Sequence, residues 1–90
     1  NKIRFWMTKT DEELRQHVPA EMTLLRYKLA GGPEPLMLIY GKELGEILEN
    51  HQVLAWKLDD NDDVFVYDPN QPGNDNVSLA SLEPRGWYCR

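Results

Sequence analysis

His51, Asp68 and Asn70 are the residues whose types and spacing could do acyl-transfer chemistry in this chain. His51 opens the run His51-Gln52-Val53-Leu54-Ala55-Trp56, and Asp68 and Asn70 follow the run Val64-Phe65-Val66-Tyr67. Both runs read as strands, and the acidic stretch 59–63 between them reads as a tight turn. Antiparallel pairing sets the start of the first strand beside the end of the second. A carboxylate or an amide would then orient the imidazole, which is two thirds of a Cys-His-Asp or Cys-His-Asn hydrolase site. A five-residue turn puts Leu58 near Val64 and His51 near Asn70 or Gln71; a bulge or an early bend brings Asp68 there instead. Taken alone, these residues are better accounted for as a structural hairpin with a histidine at its edge.

The third part of such a site, a nucleophile, is missing from the pattern. Cys89 is the single cysteine, which excludes an intramolecular disulfide and a cysteine-based zinc site. It falls among Trp87 and Tyr88 in an expected last strand, where packing is its expected role. Ser78 and Ser81 lack the Gly-x-Ser-x-Gly turn that exposes a serine nucleophile. His17 is expected as a helix-terminal or surface residue.

The elements that must carry His51 and Asp68 follow from pattern and punctuation. Residues 3–7 are apolar enough for a short strand or an extended arm. Thr10-Asp11-Glu12-Glu13 is a capping-box signature, so a helix starts there. It is expected to stop near His17, because Pro19 disfavours a helix interior. Helical character resumes over residues 20–30, with Met22, Leu25 and Leu29 on one stripe, and Gly31-Gly32 ends it. The run 35–40 reads as a buried strand that Pro33-Glu34-Pro35 aims. A polar connection with one helical turn near residues 43–48 leads to the strands 51–58 and 64–68. Residues 69–76 form a loop on composition. Further strands are expected at 77–80 and 85–89. Helices first and an antiparallel sheet after them make an α+β arrangement, with 1–32 helical and 33–90 the sheet part of a single domain or fragment.

Composition narrows the function classes. The 90 residues carry 10 basic and 15 acidic side chains, a net charge of −5, which argues against nucleic acid as the main partner. With 41% hydrophobic and 28% charged residues the chain suits an ordinary globular fold. No apolar run approaches the roughly 20 residues of a membrane helix, and the amino end does not read as a signal peptide. The chain does not open on Met, as a fragment or a processed product would not. The acidic run Asp59-Asp60-Asn61-Asp62-Asp63 invites a calcium reading, but the sixth and twelfth positions of that loop hold Val64 and Asn70 instead of Gly and Glu. A solvated turn is the better account, and no cofactor is expected. Of Trp6, Trp56 and Trp87, at least two are expected as packing residues.

The segments Pro35-Leu36-Met37-Leu38-Ile39, Asn50-His51-Gln52-Val53-Leu54-Ala55 and Val66-Tyr67-Asp68-Pro69-Asn70-Gln71-Pro72-Gly73 resemble the C-terminal half of papain-like cysteine-peptidase-type domains. They look most like a bacterial group with the pattern NHQVLAYGY … YDPNxPG, and more distantly like the peptidase domains of bacteriocin exporters. Arg85-Gly86-Trp87-Tyr88 is similar to that group's closing strand, and the likeness spans about residues 20–90. The resemblance implies half of a papain-like fold, with His51 as general base, Asp68 as orienting acid and Asn70 as the fallback. Gln52 matches but receives no chemistry, and Trp56-Lys57-Leu58 stands where the Gly-Tyr commonly follows. In such domains the cysteine opens a long helix upstream, so an upstream segment or a second chain would have to supply it, and the substrate would be a protein or peptide. The rival expectation is a non-catalytic module that binds a protein partner through a sheet edge or its loops.

Overall fold

The computed structural model describes residues 2–90, an α+β arrangement of two α-helices and one five-stranded antiparallel sheet. The helices are α1, Lys2–Met7, and α2, Asp11–Leu29. The strands are β1 Glu34–Ile39, β2 His51–Leu58, β3 Val64–Tyr67, β4 Val77–Ser78 and β5 Gly86–Cys89, and their order across the sheet is β4-β3-β2-β1-β5.

Residues 2–7 are helical, not the strand or arm expected from their apolar content. Ile3, Trp6 and Met7 recur at helical spacing and pack with Leu14, Ile39 and Tyr88, with Trp6 stacked on Tyr88 at 5.6 Å. His17 also lies against Trp6, at 4.8 Å between ring centroids.

α2 begins where the capping box predicts: Thr10 Oγ1 accepts from the Glu13 N–H at 3.1 Å, and the Glu13 carboxylate accepts from the Thr10 N–H at 2.9 Å. It does not stop at His17 but runs through Pro19 to Leu29. A proline inside a helix costs about 3 kcal/mol. Burying Leu14 and Leu25, one on each side of Pro19 and at most 2% exposed, returns about 1.5–3 kcal/mol each, so continuity wins. Pro19 leaves the Arg15 carbonyl without its intrahelical donor, and both residues lie at the exposed surface of α2.

The sheet follows the expected hairpins with shifts of a residue or so at strand ends. The exception is 77–80, where only Val77–Ser78 pairs and a 3₁₀ turn, Ala80–Leu82, takes over. That turn returns the chain across the sheet to set β5 beside β1. Leu79 and Leu82 join the main core with Leu25, Leu36, Leu38 and Val66 on the face that α2 covers. On the opposite face α1 covers only the β1–β5 end, so Leu54, Trp56 and Tyr67 stay exposed.

Candidate active site

The β2–β3 register decides what His51 meets. Leu58 pairs with Val64 and Lys57 with Phe65, but Ala55 pairs with Val66, so Trp56 is an extra residue, a β-bulge. Trp56 and Lys57 therefore both lie outward, and Ala55 shares the core face with Leu58 despite the odd spacing. Val53 and His51 follow Ala55 on that face by the two-residue period of a strand. Asp68, just past the end of β3, is brought to the same face.

His51 Nε2 lies 2.7 Å from Asp68 Oδ1. The carboxylate is almost shut off from water, at 3% exposure for the residue, while the His51 side chain keeps 26%. Asp68 Oδ1 also accepts the Asn70 N–H at 2.9 Å, and the Asp68 carbonyl accepts the Gln71 N–H at 2.8 Å. The segment 68–71 is thus a tight turn with Pro69 at its second position, where a fixed φ suits it. Burial works against ionisation of Asp68, but the Asn70 N–H, the His51 ring and the Gln71 side chain together hold its carboxyl below the ordinary value of 3.8.

The tautomer follows from this charge. An ionised carboxylate only accepts, so Nε2 carries the proton toward Asp68. In the neutral ring the free lone pair is then on Nδ1, which makes no hydrogen bond among the described residues. The ring is held at one nitrogen and left free at the other, as a general base must be.

Of the three expected site residues, His51 and Asp68 come together and Asn70 does not join them as a side chain. The fallback is corrected: Asn70 is exposed and contributes its backbone N–H to the carboxylate instead of its amide to the ring. The bulge puts His51 on the same face of the sheet as Asp68, and the tight turn 68–71 that ends β3 carries the Asn70 side chain away from the ring.

Around the pair, Leu38 faces His51 across β1. The Tyr40 hydroxyl donates to the Leu82 carbonyl at 2.5 Å, and burial, then the nearby Asp68 and Glu83 charges, push its phenol above the ordinary value. Asn50, which the sequence shows only as the residue before His51, binds both ends of the β1–β2 connection. It caps the 3₁₀ helix Leu44–Glu49 just before β2, and its signal in the sequence was its place at a loop-to-strand junction.

No nucleophile stands at the free nitrogen among the described residues. Cys89 pairs with Leu36 on β5, two strands away from His51, and is 2% exposed. Burial, with Glu21 and Glu34 near it, raises its thiol to about 11, so thiolate is scarce near neutrality. Ser78 and Ser81 bond each other's backbone in their own turn. The acidic run also behaves as a turn: Asp59 Oδ1 accepts the N–H groups of Asn61 and Asp63, and Asp62 pairs with Arg26 at 2.7 Å. Among the described residues there is no group of three metal-ligating side chains, and no helix is long and apolar enough to cross a membrane. A cavity of about 330 Å³ between α2 and the 80–84 segment, floored by Trp87 and Val64, includes neither His51 nor Asp68. Ring geometry, not cavity size, therefore identifies the candidate site.

Set against known proteins, the chain matches no family model, no curated protein and no solved structure.

Proposed function

We propose that this chain is the His/Asp-bearing part of a papain-like cysteine hydrolase, of peptidase or acyl-transferase type, whose nucleophilic cysteine lies outside residues 2–90. The observation that carries the reading is the His51–Asp68 pair, bonded through Nε2 at 2.7 Å with Nδ1 free. In the proposed reaction Nδ1 takes the thiol proton, and the thiolate forms an S–C bond to a peptide, isopeptide or ester carbonyl. The imidazolium returns that proton to the leaving nitrogen or oxygen as the scissile bond breaks. Water, losing a proton to Nδ1, then cleaves the thioester, and the proton goes back to sulfur. Asp68 stabilises the imidazolium through both steps.

The test is turnover of peptide and ester substrates by the chain together with its cysteine-bearing segment. His51→Ala is expected to lower kcat/KM by about 10²–10⁴-fold, the usual worth of a general base. Unchanged turnover in a folded variant sinks the reading.

A second reading, a non-catalytic module that binds a protein partner, draws support from the uncovered outer face of β2 and β3, where Leu54, Trp56 and Tyr67 are 36–43% exposed. The sheet margins support it less. β4 has two residues, and the Cys89 N–H on β5 is taken by Glu21 Oε1 at 2.9 Å, which leaves little edge for an added strand.

A further inference from the structure

We infer that Asn50 is the positioning residue of the site, the side chain that fixes where β2 starts and so which way His51 points. The inference rests on the proposed general-base role of His51. Beyond β1, four successive backbone N–H groups are each met by a side-chain oxygen. Asn50 Oδ1 accepts from Tyr40 at 2.8 Å and from Gly41 at 3.0 Å. Glu46 Oε1 accepts from Lys42 at 2.9 Å and from Glu43 at 3.1 Å. The other end of the Asn50 amide donates to the Ile47 carbonyl at 3.1 Å and to Met7 Sδ at 3.2 Å. Donors on one side and a carbonyl on the other fix which end of the amide is oxygen.

An asparagine side chain offers two acceptor sites and two N–H donors, and here all four are used. Asn50 therefore has nothing left to offer a substrate or an oxyanion. What it does is tie the residue before His51 to the two residues that follow β1. The β1–β2 ladder closes at Leu38 opposite His51, immediately inside this tie. A slip of one residue at that point would turn the imidazole to the outer face of the sheet and away from Asp68. The clamp is also tight: a Cβ on Gly41 would lie 2.6 Å from the Glu46 carbonyl oxygen and 3.1 Å from Met7 Sδ. There is little slack for β2 to start elsewhere while these bonds hold.

Nuclear magnetic resonance of the chain with 15N-labelled histidine reads the His51 Nε2–H directly. Asn50→Ala is expected to broaden or shift that resonance. Val77→Ala, a core truncation on β4, is expected to lower the thermal midpoint and leave the resonance in place. Should Asn50→Ala not fold, Asn50→Gln decides, because it carries the same amide one methylene further out. A moved resonance in the folded Gln variant supports the inference, and a wild-type resonance overturns it. Equal disturbance by Val77→Ala also overturns it, since Asn50 would then be stabilising and nothing more. With the nucleophile supplied, Asn50→Ala is expected to lower kcat tenfold or more at unchanged KM. A moved resonance in a chain that never turns over would retire the hydrolase reading and leave the positioning role standing.

Discussion

Asp68 carries its charge where water scarcely reaches it, and the Asn70 N–H and the His51 ring make that possible. Its folded carboxyl titrates below the ordinary 3.8, so ionisation favours the folded state. That contribution is fully present above about 3.8, the unfolded value, and is lost as pH falls through the lower folded value. Asp68→Asn exchanges a charge-assisted hydrogen bond for a neutral one, a loss of about 1 kcal/mol at pH 7. Urea midpoints measured at descending pH should show the gap between wild type and variant closing below 3.8. A gap that stays constant to pH 2 would mean that Asp68 carries no linked charge. His51 and Asp68 were both legible as residues, because a histidine at a strand start and an acid at the next strand's end stand out. Which of Asp68 and Asn70 would reach the ring was not legible. The extra residue Trp56 sets which face His51 takes and the turn after β3 sets where Asn70 goes, and an aromatic at a bulge reads like any strand residue.

At the scale of elements, sequence reading worked where local chemistry decides and failed where packing overrides it. The Thr10–Glu13 cap and the hairpin over 59–63 came from short-range hydrogen bonds that a few residues specify. Pro19 misled because a propensity penalty was weighed without the burial that Leu14 and Leu25 supply on either side. Replacing that proline is therefore expected to stabilise: Pro19→Ala restores the donor to the Arg15 carbonyl and should add about 1–3 kcal/mol, read as a higher urea midpoint. An unchanged or lower midpoint would show that the proline's limit on the unfolded chain outweighs the missing bond. α1 was missed for a related reason. Six residues are too few to form a helix alone, and Ile3, Trp6 and Met7 gain their helical sense from the Tyr88 and Ile39 surface beneath them.

At the scale of the whole molecule, one guanidinium joins parts of the chain that are distant in sequence. Arg85 donates to Asp11 at 2.7 Å, to the Lys9 carbonyl at 2.8 Å, to Gly41 at 2.5 Å and to Met7 at 3.3 Å. It ties the end of α1, the start of α2 and the end of β1 to the segment that enters β5. Arg85→Ala should cost about 2–4 kcal/mol, since three carbonyls lose a charged donor. Arg85→Lys should recover little of it, because a single ammonium cannot span that fork. Hydrogen exchange would check the order of events: amides of α1 should open before those of β2 in either variant. The closed docking of α2 on β5 has a practical outcome for testing the proposed hydrolase reading. With its own thiol at about 11 and out of solvent, this polypeptide should be silent to iodoacetamide at neutral pH, so rapid alkylation of a preparation that carries further polypeptide would mark a cysteine other than Cys89.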